Sequence, residues 1–472
     1  MVFRSSVILL GLLVLAAILA PERVGKYTRQ AQLASLAGGG RLYLLIVFSI
    51  LVFLIVLAFS RMGQLRIGGD DADPEFSSIS WFAMLFSAGM GIGLVFWGVA
   101  EPLSHFAKPP ELIAAQSVDA ARASMRYTFF HWGLHPWAIY ALMGLAMAWF
   151  QFNRHSRGLV SDLLQPLLGS RITTGVGGSI VHVLAVVVTA IGVATTLGFG
   201  ASQIGAGLHQ VYGVPDGFAT QLIVIAVAFV LYMLSSATGL KRGIKWLSNF
   251  NMGMAALLLA LVIVLGPTAF IFDTLTTTLG SYINQLPAMS LRMSPLSQNS
   301  WVGNWTIFYW GGYQFVLFSI FEHLPLSTLL STCAIVLLMS FFVTSADSAT
   351  LVLASMSSED GEEPPLRRRM VWGVLQAGIA VALLASGGLD ALQATVIVAA
   401  LPFALLMVVV AVSLLKVLRE ESRRKYRETR ELHRAELRWL AAERERLQTM
   451  LDSVDDRPSE QAAAAKPGSG SD

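Results

Sequence analysis

Residues 44–60 read LLIVFSILVFLIVLAFS, a run with no charge and no proline. A helix needs about 20 apolar residues to cross the hydrocarbon core. The run does not alternate as a barrel strand would, and a lipid-facing backbone that is not a closed barrel must be helical. Comparable runs recur at Val7–Ala20, Leu44–Ser60, Trp81–Ala100, Tyr127–Phe150, Gly178–Gly200, Phe218–Leu234, Asn251–Phe270, Leu326–Leu353, Met370–Ala385 and Ala391–Leu415. With 55% apolar and 13% charged residues and a mean hydropathy of +0.63, the chain departs from soluble domains, where about 25% are charged. The reading is an all-α polytopic membrane protein with about ten spans over 1–417. A charged helical tail follows at 418–456, and 457–472, rich in Ala, Gly, Ser and Pro, predicts disorder.

The loop charges orient it. Arg61 and Arg66, Arg154 and Arg157, and Lys241, Arg242 and Lys245 follow alternate spans, so the positive-inside bias makes their side the cytoplasm. The expected loop Pro21–Arg41 is the exception, with Arg23, Lys26, Arg29 and Arg41 outside. Were the ambiguous stretch Asn304–Phe321 to cross, Arg367, Arg368, Arg369 and the basic tail would face outward. It is therefore expected to lie outside or re-enter, with the tail cytoplasmic. The apolar core at the N-terminus could be a signal peptide, but Pro21 is badly placed for cleavage, and a retained helix is expected. The single cysteine, Cys333, allows no intrachain disulfide, and metal-binding spacings are absent. The formal charge of +3 and arginines interleaved with glutamates do not imply nucleic acid. In the tail, Tyr426, His433, Leu440, Leu447 and Val454 fall seven residues apart, either a thin self-association seam or a solvated helix.

Three stretches carry residues suited to binding. Gly89-Met90-Gly91-Ile92-Gly93 makes unwinding cheap, each interior glycine costing about 1 kcal/mol against alanine. Unwound carbonyls can meet an ion or solute at mid-membrane, although a GxxxG packing pair is the better reading from spacing alone. Trp132, Trp137 and Tyr140, taken on one continuous helix, share a face from which His131 and His135 point away. Such rings suit a quaternary ammonium, at roughly 0.5–2 kcal/mol per contact, or form an interfacial girdle. Thr344-Ser345-Ala346-Asp347-Ser348 puts hydroxyls and a carboxylate inside an apolar run. They could supply sodium ligands and a functional acid, or the hydroxyls could bond their own helix.

The run Gly89-Met90-Gly91-Ile92-Gly93-Leu94-Val95-Phe96-Trp97-Gly98-Val99-Ala100-Glu101-Pro102 resembles a signature of the betaine/choline/carnitine transporters, as do His131-Trp132 through Tyr140 and Phe342 through Thr350. The resemblance covers nearly all of Val7–Leu418. It implies a LeuT-like inverted-repeat fold, two five-helix repeats behind two leading helices, and a homotrimer. It further implies a quaternary-ammonium site at Trp132, Trp137, Tyr140, Met90 and Trp310, and a sodium site at Ser87, Met90, Phe341, Thr344 and Ser345. Gly93, where proton-coupled choline members carry Asp, points to sodium and betaine. Val193, one turn after the match to Thr189, speaks against a second sodium site.

The sequence departs from the family after Trp305-Thr306-Ile307-Phe308-Tyr309-Trp310. Gly311, Gly312 and Tyr313 follow in place of further tryptophans, and Phe315–Pro325 matches the segment before the tenth family helix. Most of helix eight and all of helix nine are expected to be absent, leaving the second repeat incomplete. Sodium-coupled uptake of glycine betaine for osmoprotection is the function implied, with no cofactor and no enzyme chemistry. The tail resembles regulatory tails that meet anionic lipid. The alternative is a transport-deficient or regulatory membrane protein derived from the family.

Overall fold

The computed structural model describes residues 1–89, 91–237, 241–293, 313–358 and 364–455, and every regular element among them is helical. The main helices are α1 Val2–Leu19, α2 Pro21–Phe59, α3 Ser78–Gly89, α4 Gly91–Ala107, α5 Val118–Trp132, α6 Leu134–Ala148, α7 Val176–Tyr212, α8 Phe218–Ala237, α9 Lys241–Leu265, α10 Thr268–Ser290, α11 Val316–Glu322, α12 Ser327–Met356 and α13 Leu366–Asp455.

Seven of these helices are long and apolar enough to cross a membrane singly, and the bent pair α3–α4 makes an eighth span. Among the described residues, each of the ten runs nevertheless lies mostly on helix, and two of them escape the count because of how they are divided or joined. One run is divided between α5 and α6. The other is fused into α13, which contains non-helical residues Gly387 and Gly388. Gly388 takes φ +62°, a left-handed conformation that costs glycine nothing. It separates the ninth and tenth expected spans at 366–386 and 389–455.

Two expectations need correction. Residues 21–41 are not a loop, since α2 runs unbroken for 39 residues. That is about 58 Å of helix, well beyond the roughly 30 Å hydrocarbon core. Half of its first twenty residues are Ala, Leu, Gln, Arg or Lys, which favour helix whether or not lipid surrounds them and outweigh four glycines, and Pro21 sits in the first turn, where no N–H is needed. The fourth span is not one straight helix either. At Gly133, between α5 and α6, the chain turns out of helical geometry (φ −92°, ψ −130°). A Cβ there would fall 2.4 Å from the Phe129 carbonyl oxygen and 2.9 Å from the Tyr282 hydroxyl. That hydroxyl accepts the Leu134 N–H at 3.0 Å, satisfying a donor that the break leaves without an intrahelical partner.

The core lies where α4, α7 and α12 meet. Small residues on α7 let large ones approach, with Gly200 against Ile92 and Phe342, and Gly207 against Phe318. The seven-residue α11 carries Phe318 and spans about 10 Å, too short to cross by itself. Residues 304–312 lie outside the described residues, as does the expected disordered end from 457.

The tail continues the last span without interruption to Asp455. Its root is tied to two loops: Lys425 pairs with Asp70, Glu420 with Arg154 at 3.5 Å, and the Arg61 guanidinium lies 5.3 Å from the Tyr426 ring centre. Lys416 donates to the Pro166 carbonyl at 2.7 Å. The tail therefore shares a side with the loops after α2 and α6. Farther out, Leu440 and Leu447 of the heptad seam are exposed.

Candidate functional site

The break between α3 and α4 organises the site. The two helices meet at a bend of 64°, where the glycine cluster predicts cheap unwinding. The cluster also makes room on two sides. A Cβ on Gly91 would lie 2.3 Å from Cδ1 of Phe341 on α12, and one on Gly93 would lie 3.3 Å from the Trp132 ring on α5. One short stretch thus abuts a residue of the expected sodium set and a residue of the expected aromatic set. Met90 and Trp310 lie outside the described residues.

On the α12 side, hydroxyl and carbonyl oxygens converge. Ser345 donates to the Ser87 carbonyl at 3.2 Å, tying α12 to the end of α3. The Thr344 hydroxyl reaches the carbonyls of Ser340 and Phe341, each at 3.1 Å. Ser87, Phe341, Thr344 and Ser345 are all buried, so the structure brings these four together. The hydroxyl of Thr344 bonding its own helix is also what an ordinary membrane serine or threonine does.

Sequence reading missed the third wall, which comes from α9. Ser87 donates to the Ser248 carbonyl at 3.4 Å, and Asn251 Nδ2 donates to Thr344 Oγ1 at 3.1 Å. Asn251 is fully buried and its Oδ1 has no hydrogen-bond partner among the described residues. Buried polar atoms normally find partners, so an oxygen left over beside Thr344 suits a bound cation. Nothing in the spacing of α9 distinguishes Asn251 from any other polar residue in an apolar run. Asp347 faces elsewhere: its carboxylate accepts from Ser235 on α8 at 2.5 Å. Thr189 spends its hydroxyl on the Ala185 carbonyl at 2.8 Å.

The aromatic residues divide into two groups because of the turn at Gly133. Trp137 and Tyr140, on α6, form a ring pair with centres 6.0 Å apart and planes at 48°. Tyr140 remains 46% exposed. Trp132 belongs to α5 and is held differently, its Nε1–H donating to Glu101 Oε2 at 2.7 Å. Counting 100° per residue from Trp132 to Trp137 therefore fails, since no single helix joins them. Of the two histidines expected to point away from the rings, His135 does so, meeting the Ser290 hydroxyl at 2.9 Å, whereas His131 converges with Trp132 on the Glu101 carboxylate.

Glu101 is the second residue that the sequence reading passed over. It is a buried carboxylate on α4 that meets His131, His105 at 3.2 Å and Trp132. Its signal was present: an acid directly after the apolar run Trp81–Ala100, at a depth where such residues are rare and often functional. A cavity of about 440 Å³ opens beside it, bordered by Tyr43, Trp97, His131, His135 and Gln393 and otherwise mostly apolar. That cavity is separate from the Trp137–Tyr140 pair, which does not line it.

The geometry is one of buried oxygens converging beside a bent helix pair, with aromatic faces nearby. A model described as "BCCT, betaine/carnitine/choline family transporter" matches residues 1–313 and 311–423. The match is in two pieces that meet where the sequence departs from the signature. The glycine betaine transporter OpuD of Bacillus subtilis is 38% identical over 474 positions, covering 87% of this chain and 92% of the relative. An ectoine/hydroxyectoine transporter of Virgibacillus pantothenticus is 38% identical over 483 positions, with 88% and 96% covered. A probable glycine betaine transporter of Desulfitobacterium hafniense is 35% identical over 487 positions, with 89% and 97% covered. Since 87% of 472 residues is about 411, an alignment 474 positions long leaves roughly sixty positions of OpuD without a counterpart here. On this evidence the chain is a multi-pass membrane protein of the betaine/carnitine/choline transporter family, a family of transporters and not of enzymes.

Proposed function

We propose that the protein takes up glycine betaine, or a solute of the same quaternary-ammonium class, together with sodium. The observation that carries the coupling is the convergence of Ser87, Phe341, Thr344 and Ser345 beside the unsatisfied Asn251 oxygen. Sodium is a hard cation that favours oxygen ligands, and this cluster offers hydroxyl and carbonyl oxygens with no carboxylate among the five. The Trp137–Tyr140 faces suit a head group that has no N–H to donate. Movement about the α3–α4 bend would link the two, because Gly91 touches Phe341 and Gly93 touches Trp132. The same proposal places the chain in the inner membrane with its tail cytoplasmic and near anionic lipid, assembles it as a homotrimer, and assigns it to osmoprotection.

The mechanism is binding and exposure, with no covalent step. The ion neutralises the unsatisfied polar atoms between α3, α9 and α12, which favours the arrangement in which those helices are packed together. The solute's cationic head sits against the α6 rings. Reorientation about the bend then presents both to the opposite side.

A second reading is favoured by the divided family match. A gating helix, together with residues that complete the aromatic box in the family, is expected to be missing at the point of division, so the chain would bind, with fewer ring contacts, without transporting. Uptake of labelled glycine betaine into proteoliposomes, under an inward sodium gradient and under a potassium gradient, separates them. Uptake with sodium alone supports the first reading. Retained binding with no uptake under either gradient supports the second.

A further inference from the structure

Glu101, His105 and His131 form a cluster that solute and sodium binding do not use. Glu101 and His105 stand four residues apart on one face of α4, and His131 approaches from α5. One ligand-type atom from each, a carboxylate oxygen and one ring nitrogen of each histidine, lies within 4.8 Å of the others. The three side chains are no more than 8% exposed. Two imidazole nitrogens, His105 Nε2 and His131 Nδ1, are aimed at the same buried oxygen, Oε1.

We propose that this cluster is a binding site for a divalent transition-metal ion of zinc's class. Two imidazoles and one carboxylate are a ligand set that zinc accepts in three-residue sites, with a further position left for water. Imidazole nitrogen also selects zinc, nickel or copper over magnesium and calcium, which prefer oxygen alone. The second carboxylate oxygen is already engaged: Trp132 Nε1–H holds Oε2 at 2.7 Å and leaves Oε1 turned toward the histidines. Such an outer partner fixes the orientation of a ligating carboxylate. The cavity bordered by His131 adjoins the cluster and leaves room beside one of its ligands. An ion held there fixes the carboxylate that carries Trp132, so it connects to the indole packed on Gly93.

The inference stands whichever solute is carried, and its test needs no transport. The full-length protein, purified in detergent and stripped with a chelator, is titrated with zinc chloride and, separately, with cobalt chloride. The expected result is one zinc per chain, with affinity lowered about 10-fold or more by His105→Ala and by Glu101→Gln. Unaltered affinity is expected for His182→Ala, whose ring pairs with Ser161 elsewhere. Because a substituted chain can fail to fold, the unsubstituted protein carries a second readout. Bound cobalt should show the intense visible absorption of a four-coordinate site with nitrogen ligands. Zinc binding that persists unchanged in both cluster variants would assign it to exposed histidines and overturn the proposal. So would a cobalt spectrum matching that of the aqueous ion.

Discussion

The oxygen cluster at α3, α9 and α12 and the ring pair on α6 solve opposite problems. Every side chain of the first is buried, Ser87 and Phe341 completely and Thr344 to 2% exposure, whereas Tyr140 in the second is 46% exposed. Buried hydroxyls and amides generally need partners, and this cluster supplies them for all but the Asn251 Oδ1. The oxygen cluster must therefore be assembled in full, from helices far apart in sequence. Rings tolerate exposure, because an aromatic face needs no partner to be stable. The contrast follows the chain as well. The oxygen ligands come from segments on both sides of the division in the family match, while the aromatic box is expected to close with residues at the division itself. Under the proposed function, the division would touch solute recognition and spare the oxygen cluster.

The contrast can be broken most severely at Thr344. Thr344→Val removes the central hydroxyl and leaves the Asn251 amide without its acceptor, a cost of about 1–3 kcal/mol. The sodium concentration for half-maximal betaine binding should rise about tenfold or more, while betaine affinity at saturating sodium stays near the original. An unchanged sodium requirement would remove α12 from the coupling site.

Trp132→Phe probes the strut between the two regions. It keeps the ring against Gly93 but deletes the donor to Glu101 Oε2, costing about 1–3 kcal/mol of stability. The thermal unfolding midpoint in detergent should fall, and a midpoint equal to the original would mean the indole N–H is idle. Trp137→Leu acts on the rings alone. Losing one cation–π contact of about 0.5–2 kcal/mol should weaken betaine binding about 2- to 30-fold, with the sodium requirement of the remaining binding unchanged. Loss of both together would merge the two regions into one site.

The gentlest probe lies at the tail root. The Lys425 ammonium, by hydrogen bond and by charge, holds the exposed Asp70 carboxyl below its ordinary value of 3.8. A depressed carboxylate keeps its contact above the ordinary value and loses it only as pH falls through the lowered one. Tail proteolysis should therefore be flat between about pH 5 and 8 and should rise in strong acid or high salt. A change near neutrality would point to another group.

What the sequence revealed follows the range of each signal. The spans were visible because a run such as 44–60 is decided by its own seventeen residues. The α3–α4 bend was visible because three glycines in five positions advertise it. The turn at Gly133 was not, since a lone glycine inside an apolar run is compatible with continuous helix, and the clash that demands it involves Tyr282 on α10. That single omission misplaced Trp132 relative to Trp137. Residues 21–41 misled in the other direction, because charge argues against lipid but not against helix. Ser248 and Asn251 were beyond reach: their partners are 161 and 93 residues away, and no periodicity encodes such a pairing. Glu101 stood inside the quoted signature, yet its neighbours His105 and His131 join it only once α4 packs on α5.

The most direct test of the account is equilibrium binding of labelled glycine betaine to the purified protein at increasing sodium, with potassium keeping ionic strength constant. The account predicts that binding tightens with sodium in the original chain and is indifferent to it in a Thr344→Val, Ser345→Ala double variant. Equal tightening in both, or with potassium alone, would contradict it.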